Sequence, residues 1–175
     1  MKNNKNLSWL MRLFSLTIIL AFVAPVMINA QTGKTNFAGS WIMNATKSTQ
    51  PQGGGGGQRM GGGDVVVTQE ANLLTVSRTR TGQDGQATTT VTKYTLDGKE
   101  TVNTTQRGES KSVATWSADG KTLTVVTTSS FNMNGETREM KSTAVWTMDG
   151  ANLVITTTSP GQNGERVTKA VYDKK

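Results

Sequence analysis

Arg78, Arg80, Arg138 and Arg166 stand at positions that strand alternation turns to one face. Arginine presents a planar, permanently charged fork that matches a carboxylate or a phosphate. Few acids share that face, Glu136 being the obvious one. The chemistry on offer is therefore recognition of an anionic group. Phe131 and Met140 lie on the same parity and would give such a molecule an apolar surface. Catalysis has no comparable support. The chain contains no His and no Cys, which removes the usual nucleophile pairs, proton shuttles and transition-metal ligands. Asp97, Asp119 and Asp149 each precede a glycine, where aspartate serves local hydrogen bonding and not a shared calcium site. No inward carboxylate pair offers acid chemistry. The glycine-rich stretch around Arg59 lacks a following Lys-Ser/Thr and opens no helix, so it is not a phosphate loop. No catalytic residue, metal or cofactor is expected.

The elements that would position those side chains are strands. An aromatic, two spacers and Asp-Gly recur at Tyr94–Gly98, Trp116–Gly120 and Trp146–Gly150. Asp-Gly between β-rich runs signals a hairpin, because a type I′ turn needs positive φ at both central residues. Strands are expected at 39–44, 64–69, 72–80, 87–96, 99–106, 110–118, 121–131, 136–148, 151–159 and 165–172. Residues 45–63 form a glycine-rich, low-complexity connection expected to be a flexible loop. Regular short strands with brief turns describe an all-β, antiparallel up-and-down barrel of eight to ten strands, and closure removes exposed edges.

Counting back by twos from each aromatic places Lys93, Lys111, Lys141 and Lys169 on the opposite face. Lysine is seldom buried without a partner, so the aromatic face is the inner one. Alternate strands of a meander run the same way. Trp41, Tyr94, Trp116, Trp146 and Tyr172 therefore gather at one end as a structural plug, beside Leu74, Val76, Leu123, Val125, Leu153 and Ile155. The four arginines fall at the other end, together with Phe131 and many Thr and Ser hydroxyls.

Residues 1–30 read as a secretory signal peptide: a basic start with Lys2, Lys5 and Arg12, a short apolar run and a small residue, Ala30, before Gln31. No cysteine is present to carry a lipoprotein anchor. A secreted or periplasmic protein with no stable membrane anchor after cleavage is expected. One domain of about 145 residues, 31–175, remains. Loss of Lys2, Lys5 and Arg12, with no acid among the first thirty residues, lowers the net charge from +7 to +4. That mild basicity suits anionic small molecules and is too weak for nucleic acid.

Phe37-Ala38-Gly39-Ser40-Trp41 resembles the F-x-G-x-W opening of fatty-acid-binding proteins and the G-x-W of lipocalins, and Asn44, Lys47 and Ser48 extend it as in secreted bacterial lipocalin-like domains. The resemblance implies a calycin, lipocalin-like β-barrel whose Trp41 closes the bottom of a cavity. Two departures keep ligand type from being carried over. Residues 45–63 cannot form the helical lid of fatty-acid-binding proteins, and the C-terminal Arg-x-Tyr pair has no match, since Arg166 and Tyr172 are six apart. The expected function is a non-catalytic barrel for a small amphipathic or anionic molecule. The alternative is a structural or surface-interaction β protein with a filled interior, contacting partners through outer Thr ladders with Val126 and Val154.

Overall fold

The computed structural model describes residues 33–49, 63–81, 85–105, 108–133, 135–161 and 164–175. The expected signal peptide and the centre of the glycine-rich connection, 50–62, lie outside the described residues. Ten strands and no helix are found among those described: β1 (Gly39–Met43), β2 (Val65–Gln69), β3 (Leu73–Thr81), β4 (Ala87–Thr95), β5 (Glu100–Thr105), β6 (Gly108–Trp116), β7 (Leu123–Met133), β8 (Glu136–Asp149), β9 (Asn152–Gly161) and β10 (Gly164–Lys174). They form one antiparallel sheet in the order β4-β3-β2-β1-β10-β9-β8-β7-β6-β5. The sheet curls into a nearly closed barrel, with β4 and β5 meeting at its seam.

The seam is stitched by side chains in place of a backbone ladder. Asn103 behaves like a strand residue turned sideways. Its Oδ1 accepts the Lys93 N–H at 2.8 Å, and its Nδ2 donates to the Lys93 carbonyl at 2.9 Å. Thr101 Oγ1 accepts the Thr95 N–H at 2.9 Å. These bonds occupy backbone groups that an edge strand would otherwise leave bare.

The turns explain the Asp-Gly repeat. Gly98, Gly120 and Gly150 all have positive φ, which glycine adopts without a Cβ penalty. Asp97 Oδ1 accepts the Lys99 N–H and Asp119 Oδ1 accepts the Lys121 N–H, at 3.1 and 3.0 Å. The hairpin registers differ from a simple Asp-Gly turn. Asp149 pairs with Asn152, so Gly150 and Ala151 form that turn. Residues 117–122 make a wider loop, because Ser117 both donates to Asp119 and bonds Thr122.

Side-chain parity follows the expectation. Lys93, Lys111, Lys141 and Lys169 are exposed, while Trp41, Trp146 and Tyr172 are buried. The core is one cluster containing these rings with Phe37, Val65, Val67, Leu74, Val76, Leu96, Leu123, Val125, Leu153 and Ile155, and the half-buried Tyr94 and Trp116 lie against it.

Candidate functional site

The closed end is built by the aromatic strand termini and by a segment that precedes β1. Residues 33–38 run across this end. The Thr35 N–H donates to the Gly120 carbonyl at 2.8 Å. Gln69 accepts the Phe37 N–H at 2.9 Å and donates to the Thr35 carbonyl at 3.0 Å. Phe37, fully buried, stacks on Trp116 with centroids 5.7 Å apart and meets Trp146 edge-on at 5.9 Å. The Trp41 indole N–H donates to the Phe37 carbonyl at 3.0 Å. Gly39 lies so close to the Trp41 ring that a Cβ there would sit 3.3 Å from it. The F-x-G-x-W opening is therefore a plug: the phenyl fills it, the glycine makes room and the indole locks the two together.

Burial decreases steadily from this plug toward the other end. Along β7, Leu123 and Val125 are buried, and Thr127, Ser129 and Phe131 are half-buried. On β8 the progression is Trp146 buried, Ala144, Ser142 and Met140 half-buried, Arg138 exposed. On β9, Leu153 and Ile155 are buried and Thr157 and Ser159 half-buried; on β10, Tyr172 is buried, Ala170 and Thr168 half-buried, Arg166 exposed. Inward side chains that keep partial access to water describe an interior entered from the end opposite the plug.

One cation stands inside that interior. Arg78 is half-buried on β3, level with Val65 of β2 and Thr90 of β4. Its Nε is buried and has no hydrogen-bond partner among the described residues. No ion pair to Arg78 is found among them either. Tyr94 is close enough to feel it: burial pushes the phenol above its ordinary pKa, and the Arg78 charge pulls it down in part. A desolvated guanidinium edge without an acceptor is costly, and an acidic oxygen would satisfy it.

No family model and no curated protein sequence matches the chain. Solved structures match it in shape. A REP1-NXSQ fatty acid transporter superposes on 79% of this chain and 95% of its own, with a TM-score of 0.52 at 15% identity. Zebrafish ileal bile acid-binding protein complexed with cholic acid superposes on 79% of this chain and 98% of its own, with a TM-score of 0.51 at 18% identity. The fold is an antiparallel barrel like that of these two proteins. Identities this low carry the architecture and nothing about the ligand.

Within this barrel the expected site residues separate. Arg78 is partly enclosed, Phe131 and Met140 are half-buried on the inner face, and Arg80, Arg138 and Arg166 are exposed. Arg138 is engaged by Glu136 at 3.5 Å. Among the expected plug residues, Trp41, Trp146 and Tyr172 are buried and Tyr94 and Trp116 half-buried. The Trp116 Nε1, like the Arg78 Nε, is buried without a described partner. Lys34 lies over the Trp116 ring, 5.6 Å from its centroid.

Two features were not anticipated. The first is the role of Phe37, which the motif contains but which local alternation does not aim at Trp116. The second is a polar clasp on the outer wall. The Asn44 Oδ1 accepts the Thr46 and Lys47 N–H groups at 3.1 and 3.0 Å, and its Nδ2 donates to Asp173 at 2.7 Å. Asn44 holds the Oδ2 of Asp173, while Oδ1 accepts from the Asn152 amide at 2.5 Å and lies 3.6 Å from the Lys47 ammonium. The Asn44 amide, foremost, and the Lys47 charge hold the Asp173 carboxyl below its ordinary range despite some desolvation. Residues 45–49, expected to begin a flexible loop, are thus tied down. Ser48 accepts the Val171 N–H, and the Thr49 N–H donates to the Lys169 carbonyl, both at 2.9 Å. Val154, expected on an exposed contact face, is buried at 6% exposure, and its register partner Val171 lies under this turn.

Proposed function

We propose that the chain is an exported, non-catalytic barrel that holds a small amphipathic anion. The acid group sits on Arg78, and the body runs along the inner wall toward Met140 and Phe131. The observation that carries this reading is the enclosed guanidinium whose Nε lacks an acceptor in an interior open to water at one end. The printed names of the two structural neighbours, a fatty acid transporter and a bile acid-binding protein, support the same class of cargo. Arg80, Arg138 and Arg166 act at the rim, where exposed charge steers an anion and is screened by salt.

The test is calorimetric titration of the untagged protein with cholate and with palmitate. At least one is expected to bind, and Arg78→Met is expected to weaken it about tenfold or more, in line with loss of a charge-assisted hydrogen bond. Equal affinity in the variant refutes the placement of the acid group. Export is tested separately by expressing the full chain in a bacterial host and weighing the periplasmic and medium fractions. A mass beginning at Gln31 is expected, and an uncut, membrane-bound product refutes it.

The second reading, a surface-interaction protein, has its own support. Ile42, Val66, Val91, Val102 and Val167 are exposed on the outer wall. It predicts concentration-dependent self-association in sedimentation and no binding of either probe.

A further inference from the structure

The chemistry of the inner wall changes abruptly above the plug. In the plug row, Trp116, Leu123, Trp146, Ile155 and Ala170 are successive register partners across β6 to β10. One row toward the mouth the partners become Ala114, Val125, Ala144, Thr157 and Thr168. The next row is Ser112, Thr127 and Ser142, and the one after it Ser110, Ser129 and Met140. Within two inward positions the wall passes from indole and isobutyl groups to hydroxyls.

Four of these seven hydroxyls are met by the protein: Ser112 and Thr127 bond each other, Ser110 donates to the Asn103 carbonyl at 3.3 Å and Thr168 to the Thr157 carbonyl at 3.4 Å. Ser112, the one buried polar side chain among the described residues, shares a 2.9 Å bond with Thr127. Thr92, Ser129, Ser142 and the Thr157 hydroxyl have no hydrogen-bond partner among the described residues, and none of their oxygens is sealed from solvent. In the empty barrel such groups are met by water. A bare acyl chain entering this space would strip that water and return nothing, because a hydroxyl buried without a partner is unfavourable. A molecule with hydroxyls along its body replaces each lost water bond.

We infer that the ligand of this chamber is a hydroxyl-rich amphipathic acid and not a simple fatty acid. This rests on the binding reading above and adds to it the chemistry of the ligand's body. The acid engages Arg78. Ser129, Ser142 and Thr157 read the hydroxylated face, and Met140 and Phe131 touch the apolar face. The selectivity is built by alternation alone: the same period that buries leucine and tryptophan at one level brings serine and threonine inward at the next.

The experiment compares cholate with cholanate, the same carboxylate-bearing skeleton without its hydroxyls, on the wild-type protein and on Ser142→Ala, Thr157→Val and Arg78→Met. Cholate is expected to bind at least tenfold more tightly than cholanate. Ser142→Ala and Thr157→Val should each weaken cholate about 3- to 10-fold, the worth of one hydrogen bond, while cholanate holds or gains. Cholanate binding as well as cholate, with neither variant altering the ratio, overturns the inference; if Arg78→Met still weakens both, the anion-binding reading stands without it. Binding of neither cholate nor cholanate overturns the inference; the anion-binding reading falls with it only if palmitate also fails to bind. Should Thr157→Val lower the melting temperature by more than a few degrees, Ser129→Ala serves as the second variant.

Discussion

Phe37→Ala tests whether the residues before the first strand belong to the core. The ring is fully buried, stacked on Trp116 and edge-on to Trp146. Removing such a side chain costs about 3–5 kcal/mol, from lost transfer free energy and the cavity left behind. The upper half of that range is expected. The hole would lie between two indoles that cannot collapse inward, and about 1 kcal/mol of ring–ring geometry goes with it. For a domain of this size the melting temperature should fall by about 12–15 °C, at roughly 3 °C per kcal/mol. Urea unfolding followed by tryptophan fluorescence reads the loss directly, since Trp116 and Trp146 report on the same site. Phe37→Leu, which keeps most of the buried volume, should lose about 1 kcal/mol, and Lys93→Ala on the outer wall less than about 0.5 kcal/mol. A Phe37→Ala protein within about 1 kcal/mol of wild type would refute the reasoning. The segment would then be an ornament on a plug complete without it.

Three further outcomes follow from the geometry. Gly120→Ala should be destabilising by more than about 1 kcal/mol in the same urea assay, because the residue has a φ of +68° and its Cβ would collide with the Gly33 carbonyl. Local contacts hold the carboxyls of Asp97, Asp119 and Asp173 below their ordinary range: the Lys99 N–H foremost for the first, the Ser117 hydroxyl for the second and the Asn44 amide for the third. Their folded pKa values lie below the unfolded ones. Their contribution is therefore full above the ordinary carboxylate pKa of about 4 and is lost as pH falls through the folded values; Asp173→Asn should flatten that acid limb, and an unchanged limb would contradict the clasp. Asn103→Ala should speed hydrogen exchange at the Lys93 amide about tenfold or more while the amides of β7 to β9 keep their protection; equal protection at Lys93 would mean the seam does not depend on that side chain.

Much of this molecule is legible in the order of its residues, for identifiable reasons. Turn glycines recur at near-constant spacing, and alternation of period two puts Lys111 opposite the side of Ser112 and Lys141 opposite the side of Ser142. Both signals are local, and the strand count and the inner face are local properties. What alternation cannot report is height along the barrel. It gives Arg78, Arg80, Arg138 and Arg166 the same parity, yet the wall encloses Arg78 in part and leaves the other three in water. That difference arises from strand stagger and from where each hairpin ends. The partnership of Phe37 with Trp116 and that of Asn44 with Asp173 are likewise long-range, created when the sheet closes on itself. The width of the 117–122 loop was hidden for another reason: Asp-Gly marks a turn, but the hydroxyl of Ser117 sets how many residues it spans.

The seam between β4 and β5 has a mechanical consequence. Nine joints around the described sheet are continuous ladders, and this one is a short row of amide and hydroxyl groups. A hoop under strain yields at its thinnest rivet. The girth of the cylinder is therefore adjustable at a single place, by changing one or two polar side chains, with every ladder left intact.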